Sequence, residues 1–426
     1  MIHTDIDIEK YLYVEGPATS RPTFNREALM RKITVEQRRR AIVRRHHLAG
    51  DADGPEAVTR ALFALHATDP ASVYLSVLTR SAASTLTDVA AAMYEQRSLV
   101  RWMAMRRTLF VFTRSDIPTV QAAISTPLAA TLRRRLISRL QRNGTEPAIT
   151  GDVDRWLARV EDRTEAALLR RGNATGGQLA GDEPALQTRI LARAPSDRSQ
   201  NLTTSLLTMM SADGRLVRAA PTGPWTSRHH RWESVSGWWP QGLPAIDTAQ
   251  AQCDLARRWL ERFGPATTED LQWWTGWSKT TTRRSLDRLP IEEVDLHGHP
   301  GIDIVRPGHG PPDAARDTPT ATLLPALDPT PMGWKNRDWM FGIDPSLVFD
   351  HAGNIGPTLW WDGEIIGSWA ITPDGVLRTH IVADRGAEAQ AAIGHAASRL
   401  HARLNGAVIT PVIRTPLEQA LSAGGD

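Results

Sequence analysis

Residues 256–289 read ARRWLERFGPATTEDLQWWTGWSKTTTRRSLDRL, and they contain the clearest structural signals of the chain. One helical pattern ends at Gly264, and Thr267 or Thr268 is placed to cap a short helix that Gly276 ends. A further helical pattern follows at once. Helix, short helix, glycine turn and helix is the order of a helix-turn-helix.

Two alternating segments follow this motif and predict a β-hairpin. EEVDL and GIDIV alternate apolar and polar residues on either side of the HGHPG turn at 297–301. A helix-turn-helix with a hairpin after it is a winged helix, whose last helix normally enters the DNA major groove. Ser278 is placed to cap that helix. Lys279 and Arg283 on it are therefore predicted to contact DNA.

The chain before this segment is predicted to be mainly helical. A capping box at Thr34–Gln37 begins the helix TVEQRRRAIVRRHHLA, which carries five arginines. Val58, Leu62 and Leu65 predict a second helix that ends at HATDP, because a proline disfavours helical geometry in the residue before it. The other elements predicted here are helices at about 86–97 and 115–141 and a strand pair or wing at 99–112.

The remaining segments complete the predicted architecture. Three helical segments precede a hairpin turn at Asp213-Gly214, between LTMM and RLVRA. From about 318 the segments become strand-like, and a last helix covers about 386–404. The predicted fold class is α+β, mainly helical, with three tandem winged-helix modules and a small antiparallel β-barrel or sheet with a covering helix. The predicted units are an N-terminal arm (1–25), three winged-helix modules (26–150, 151–245 and 246–316) and a barrel-like domain (317–426).

Positive charge is concentrated in the first third of the chain. The 426 residues include 50 lysines and arginines against 47 aspartates and glutamates, a net charge of only +3. Between Arg26 and Arg142, 20 basic residues stand against 9 acidic ones, whereas from Ile291 onward there are 9 against 17. A basic segment is typical of a surface that binds nucleic-acid phosphates, although solvated helix faces show the same pattern. Of the 50 basic residues, 46 are arginine, which suits phosphate recognition and is equally explained by a GC-rich genome.

The composition argues against several other classes of protein. The single cysteine, Cys253, excludes internal disulfides and cysteine-based zinc sites, and its helical context predicts a buried side chain. The first residues are unlike a signal peptide, and no apolar run approaches the roughly 18 residues of a membrane span. We therefore expect a cytoplasmic, nucleoid-associated protein without membrane contact. The adjacent pairs His46-His47 and His229-His230 point apart, so no metal site is predicted. GHGPP at 308–312 lacks the lysine and helix of a phosphate-binding loop.

Several motifs together resemble a known family. LFALHATDPASVYLS, RWMAMRRTLFVF, RRWLERFGPATTEDLQWWTGW, LLPALDP with GWKNRDWMFG, and WWDGEIIGSWAITPDG occur in the order seen in the AlkZ-like (YcaQ-like) winged-helix DNA glycosylases. The resemblance covers roughly residues 30–410. It implies three tandem winged-helix modules and a β-barrel that cradle duplex DNA, and excision of alkylated or bulky-adducted purines without metal or cofactor. It also implies a monomer, since the DNA-facing curve of the family needs no partner chain.

The resemblance places the active site in HATDP, where the family has Gln-any-Gln or Gln-any-Asp before Asp-Pro. His66 stands at the first glutamine position and Thr68 at the second, while Asp69 and Pro70 match outright. A neutral histidine can orient a water and accept its proton. The predicted roles are water activation for His66, charge stabilisation and orientation for Asp69, and a secondary polar contact for Thr68. If HATDP is helical, positions 66 and 69 share one face.

A purely structural interpretation of the same residues, without catalysis, stays open. A histidine near a helix C-terminus suits the helix dipole, and Asp-Pro is a common way to end a helix. A catalytically degenerate winged-helix protein that binds lesions or regulates is therefore the alternative function, and an ordinary transcription factor is a third. The residues predicted to bind DNA are Arg38, Arg39, Arg44, Arg101, Arg106, Arg107, Lys279, Arg283 and Arg337.

Overall fold

The protein is described by a computed structural model, which covers residues 30–193, 199–297, 299–304 and 318–423. The fold is a mixed α+β fold, about half helical, with several small sheets. The predicted N-terminal arm (1–25) and the GHGPP loop (308–312) lie outside the described residues.

The first segment combines helices with one three-stranded sheet in the order β2-β4-β3. Short π-helical stretches extend α4 and connect α5 to α6, so the helices predicted at about 86–97 and 115–141 and the strand pair are confirmed. The elements are β1 (Arg31–Ile33), α1 (Val35–Arg45), α2 (Gly54–Leu62), β2 (Leu65–His66), α3 (Pro70–Arg80), α4 (Leu86–Ala90), β3 (Leu99–Ala104), β4 (Thr108–Thr113), α5 (Ile117–Val120) and α6 (Thr126–Asn143).

The prediction for HATDP is wrong in its secondary structure. α2 ends at Leu62, Phe63 has a φ of +60°, and β2 then pairs with β4. Leu65 is buried in the sheet, so its spacing from Leu62 satisfied a helical period by coincidence. His66 therefore lies on a strand, and it shares no helical turn with Asp69.

Pro70 begins a helix rather than ending one. It is the first residue of α3, where its missing N–H has no consequence because the first amides of a helix have no partner within it. Asp69 is the N-cap, and its Oδ1 accepts a hydrogen bond from Ala71 N at 3.1 Å. The Asp-Pro pair thus has a helix-starting function in this fold.

The second segment contains three α-helices, the predicted number, but one of them includes LTMM, which was predicted as a strand, so the predicted hairpin turn is wrong. LTMM forms the end of a buried helix, because a short apolar run does not distinguish a buried helix from a strand. Asp213-Gly214 therefore follows a helix, and the hairpin lies after it. The elements are β5 (Thr145–Glu146), α7 (Val153–Arg171), β6 (Asn173–Ala174), α8 (Gly176–Asp182), β7 (Arg189–Ile190), β8 (Gln200–Asn201), α9 (Leu202–Ala212), β9 (Leu216–Pro221) and β10 (His230–Ser234).

The third segment follows the prediction closely. Thr267 caps the short helix in a capping box with Asp270, Ser278 caps the last helix, and Gly276 adopts the left-handed conformation between them. Cys253 is buried, as predicted. The elements are α10 (Thr248–Phe263), α11 (Thr268–Thr275), α12 (Lys279–Leu286), β11 (Ile291–Leu296) and β12 (Pro300–Ile304).

One strand of this third segment's sheet comes from the beginning of the described chain. β1 pairs in parallel with β11, with Ile33 opposite Leu296, and completes a sheet in the order β1-β11-β12. Arg31 strengthens this contact, since its guanidinium donates to Glu292 and Asp303. The first and third predicted modules are therefore joined at this sheet.

The C-terminal segment forms an open antiparallel sheet in chain order, rather than a closed barrel, within the described residues. α13 covers one face of the sheet, as predicted, and its apolar residues pack there in a shared cluster. The elements are β13 (Ala321–Leu324), β14 (Thr358–Trp361), β15 (Glu364–Ile371), β16 (Leu377–Ile381), α13 (Ala387–Leu404) and α14 (Pro416–Ser422).

A buried ion pair ties α3 to the turn after β13. Arg80 and Asp328 both have fully buried side chains, and their nitrogen and oxygen atoms approach to 2.7 Å. Ser76 Oγ also donates to Asp328 Oδ2 at 2.9 Å, and Thr330 N donates to Asp328 Oδ1 at 2.9 Å. This network holds the helix that follows HATDP against the C-terminal segment.

Candidate nucleic-acid interface

Strand β2 presents the predicted catalytic motif at the edge of a buried sheet. Leu65 and Ala67 are buried, whereas His66 is half-buried and Thr68 is exposed. This alternation is the period of a strand, and it makes positions 66 and 68 the accessible ones.

His66 has an apolar and cationic environment. Its ring packs edge-on against Phe110 at a centroid distance of 5.1 Å, and Phe110 is also its backbone partner on β4. Burial, and secondly the charge of Arg106, lowers the pKa of His66 to about 4, so the imidazole is neutral at pH 7. Nδ1 is buried without a hydrogen-bond partner among the described residues, so Nε2 is the ring nitrogen left to meet a water.

Asp69 has a different set of neighbours. Its Oδ1 caps α3, and its Oδ2 accepts a hydrogen bond from Val412 N at 3.0 Å. Burial raises the pKa of Asp69, while the two backbone amides and Arg228 lower it by smaller amounts. The carboxylate thus links the start of α3 to the chain before α14, and it is not brought together with His66 as the helical interpretation implied.

Removing the Asp69 carboxylate is expected to destabilise the protein. Asp69→Ala should lower the free energy of unfolding by about 0.5–2 kcal/mol, because the N-cap acceptor of α3 is lost. Asp69→Asn keeps one amide oxygen and should cost less. Urea denaturation of the wild type and of both variants measures these changes in the free energy of unfolding. Equal stability of wild type and Asp69→Ala would contradict the capping role.

The tip of the β3–β4 hairpin carries two arginines in left-handed backbone. Arg106 and Arg107 have φ values of 53° and 60° and are both exposed. The Arg106 guanidinium lies 4.2 Å from the Trp273 ring centroid on α11. A Cβ at position 276 would lie only 3.2 Å from Arg106 Cγ. The lack of a side chain at Gly276 therefore allows the hairpin tip to pack closely against this turn.

A basic groove of about 700 Å³ begins at Thr68. Arg107 lines it from the hairpin, Arg135 and Arg139 from α6, and Arg218 from β9. The described residues that line it include no carboxylate. An open surface with this charge favours a polyanion.

Two smaller concavities extend this groove. One of about 360 Å³ shares Arg218 with it and also contains Arg228 and His230. The next, of about 380 Å³, shares Arg228 and is lined by Asp69 and Arg414. We call the three concavities together the arginine groove.

The arginines predicted from the sequence divide into two groups. Exposed side chains, which are available to a ligand, belong to Arg44, Arg106, Arg107, Lys279 and Arg283. The others are wholly or partly engaged inside the protein: Arg38 stacks on Trp339 at 4.0 Å, Arg39 pairs with Glu364 at 3.1 Å, Arg101 is buried, and Arg337 stacks on Phe349 at 4.4 Å.

Sequence analysis missed five arginines of the arginine groove, namely Arg135, Arg139, Arg218, Arg228 and Arg414. Arg135 and Arg139 are four residues apart on α6, which contains no acidic residue, so their spacing was an available signal. Arg218 and Arg228 carried no comparable signal, because β9, β10 and the connection between them bring them to the groove. Within the described residues, no three His, Cys, Asp or Glu side chains are grouped to hold a metal, and no helix has the length and hydropathy of a membrane span.

Comparison with known proteins identifies the family. The family model described as "DNA glycosylase AlkZ-like" matches residues 59–403. Among solved structures, the fold is similar to that of Streptomyces sahachiroi DNA glycosylase AlkZ, with a TM-score of 0.67 and 19% sequence identity. The match covers 89% of this chain and 99% of that one. No curated protein matches the chain.

Proposed function

Because the chain belongs to the AlkZ-like DNA glycosylase family, we propose that it hydrolyses the N-glycosidic bond of alkylated or bulky-adducted purines in duplex DNA. The observation that carries this proposal is the position of His66 and Thr68. His66 is the last residue of β2 and Thr68 follows it by two positions, both are accessible, and Thr68 lies in the arginine groove.

The groove supplies the electrostatics for duplex DNA. Arg107, Arg135, Arg139 and Arg218 line its largest concavity, which has no carboxylate among the described lining residues. Each phosphate that such a side chain neutralises releases counterions, so affinity falls steeply with salt. We place the damaged strand in this groove, with the hairpin tip at Arg106 and Arg107 beside the lesion.

The rest of the fold supplies further contacts. We propose that the three helix-and-hairpin segments are tandem winged-helix modules, and that the exposed Lys279 and Arg283 of α12 contact the DNA of the same site. The protein acts as a monomer and needs no cofactor in this proposal, since His66 and Thr68 come from one chain.

The chemistry follows from a neutral imidazole. An N7-alkylated purine is cationic and leaves readily, so the main requirement is a water placed against the developing oxocarbenium centre of the sugar. His66 Nε2 meets that water and accepts its proton. Thr68 gives a second polar contact. Asp69 acts as a positioning residue, because it fixes the start of α3 directly after the motif.

The low pKa of His66 predicts an unusual pH profile. The rate of base release should stay constant from about pH 8 to about pH 5.5, and it should fall only as the pH approaches the His66 pKa of about 4. A histidine with the ordinary pKa of about 6.5 would lose activity between about pH 7.5 and 5.5. Single-turnover rates, corrected for spontaneous depurination, distinguish the two profiles. A decline centred near pH 6.5 would contradict a buried, neutral His66.

Excision assays on a panel of duplexes test the proposed function. The duplexes are treated with simple alkylators or with bulky natural-product adducts, and abasic sites and free bases are quantified. The proposal expects release from at least one class of N7-alkylated purine. Tight, salt-sensitive binding without any abasic site would overturn it.

One observation favours the second candidate, a lesion-binding protein without catalysis. The carboxylate oxygens of Asp69 are occupied by two backbone amides, and the charge that acts on His66 is that of the cationic Arg106. A positive charge beside the sugar opposes an oxocarbenium centre. This candidate predicts binding without base release in the same assay.

A further inference from the structure

Arg218 and His230 line the arginine groove near the buried Arg101, and none of the three forms an ion pair with a carboxylate within the described residues. Arg101 on β3 is buried, and its nearest acceptors are Tyr94 Oη at 3.4 Å and Ala219 O at 3.5 Å. Arg218 on β9 lies over the Trp232 ring at 5.3 Å. Its Nε is buried without a hydrogen-bond partner among the described residues. Both guanidinium groups are therefore poorly compensated.

Their charges act on one another and on His230. Burial, and secondly Arg101, lowers the pKa of Arg218 to about 10. Burial, and secondly Arg218, lowers the pKa of His230 to about 4. Within the described residues, neither arginine forms an ion pair with a carboxylate. A buried cation without a counter-charge is unfavourable, so an anion would relieve the repulsion.

The concavity in front of Arg218 has the lining that an anion requires. Its volume is about 360 Å³, and its polar side chains are hydroxyls, guanidinium groups and imidazoles: Thr175, Thr203, Thr204, Thr208, Arg218, Thr222, Arg228, His229 and His230. No carboxylate is among its described lining residues. Guanidinium and hydroxyl donors around one opening suit the oxygens of a tetrahedral phosphate.

We propose that this concavity is a phosphate-binding site, with Arg218 as its main donor and Arg101 as the supporting charge behind it. The inference deepens the proposed function and rests on it where the phosphate is a phosphodiester of the bound strand. The site shares Thr204, Thr208 and Arg218 with the part of the groove that begins at Thr68. A DNA strand that runs along the groove from Thr68 therefore places a backbone phosphate in the concavity in front of Arg218.

Phosphate binding at this site is coupled to protonation of His230. Nδ1 of His230 lies 3.2 Å from Arg228 O, and Nε2 is buried without a partner among the described residues. The charged and titratable groups that act on the ring are Arg218, Arg101 and His229, none of which is acidic, and Arg228 contributes its backbone carbonyl. A phosphate held by Arg218 adds a negative charge near the ring and therefore favours its protonated form. Binding should therefore take up a proton at a pH near the His230 pKa of about 4, whereas at pH 7 the ring stays neutral in both states.

Titration of the histidine resonances tests this inference on the full-length protein. The imidazole ¹³C–¹H signals are followed against pH in sodium chloride, in sodium phosphate of equal ionic strength, and with a short undamaged duplex. The His230 signal is assigned with His230→Gln. We expect phosphate to raise the His230 pKa by about one unit, which corresponds to about tenfold tighter phosphate binding by the protonated form.

The outcomes identify the source of the phosphate, and they do so independently of whether the protein releases bases. A shift with the duplex assigns the site to a strand phosphate, whereas a shift with inorganic phosphate alone assigns it to a free phosphate. No shift with either overturns the inference. The titration does not depend on base release. A negative titration would therefore leave the glycosylase proposal unaffected, and a negative excision assay would leave the phosphate-binding inference unaffected.

Arg218→Gln is the matched variant. It should raise the His230 pKa in chloride, because a repelling charge is gone, and should abolish the further rise with phosphate. Arg170→Gln, an exposed arginine of α7 outside the groove, should leave both titrations unchanged. The signal of His46, which is buried and bonded to Thr330, reports in the same spectra that the fold is retained. An unchanged phosphate response in Arg218→Gln would also overturn the inference.

Discussion

His66→Ala is expected to lower the rate of base release by about 10²–10⁴-fold, the usual contribution of a positioned general base. The loss follows because Nε2 is the ring nitrogen available to a water at the edge of β2, and alanine offers no acceptor. Affinity for undamaged duplex should be unchanged, since the arginine groove is intact. Single-turnover excision and equilibrium binding measure the two effects separately.

Two further variants control this result. His66→Gln places an amide where the imidazole stands, and it should retain part of the rate because an amide orients a water. His351→Ala removes an exposed histidine far along the chain and should leave the rate unchanged. Base release by His66→Ala at the wild-type rate would remove His66 from the mechanism.

Asp328→Ala is expected to lower the free energy of unfolding by about 3–5 kcal/mol, because it leaves the Arg80 guanidinium as an uncompensated buried charge. Both side chains are fully buried, and Arg80 donates two hydrogen bonds of 2.8 and 2.7 Å to the carboxylate. Ser76 and Thr330 lose their acceptor as well. Urea denaturation followed by circular dichroism measures the change.

The double variant Arg80→Met with Asp328→Ala should recover part of this loss, since no buried charge remains. Arg189→Ala, which breaks the exposed ion pair with Glu146, should have little effect because water screens such pairs. If Asp328→Ala were as stable as Arg189→Ala, the buried network would not hold α3 against the C-terminal segment.

Local signals were sufficient for the third segment. Thr267, Ser278 and Gly276 each act within four residues of their own position, as caps and as a turn, and the structure confirms all three. The capping box of α1 is confirmed for the same reason, with Gln37 N donating to Thr34 Oγ1 at 3.1 Å. Such signals are readable because their hydrogen-bond partners are close in sequence.

The HATDP motif could not be placed in this way. β2 is only two residues long, and it exists because β4 pairs with it more than forty positions later in the chain. Asp69 has one partner two residues away and another at Val412. The local pattern therefore allowed both an ending and a starting helix, and the long-range contacts decide between them.

Arginines posed the same difficulty. Arg38 and Arg39 belong to the most basic run of the first helix, yet they contact Trp339 and Glu364 in the C-terminal segment. Arg218 stands in an inconspicuous strand and lines the groove. Charge along the sequence indicated a polyanion partner, whereas the assignment of individual side chains depended on tertiary packing.

In the proposed mechanism, His66 meets the sugar of the damaged nucleotide at the edge of β2. A structure of the complex with a duplex that contains a tetrahydrofuran abasic analogue tests it most directly. We predict that one water is hydrogen-bonded to His66 Nε2 and lies between this atom and the C1′ carbon of the analogue. The phosphates of the strand should lie along Arg107, Arg135 and Arg218. A complex in which the analogue lies against another surface, with His66 shielded from the sugar, would contradict this account.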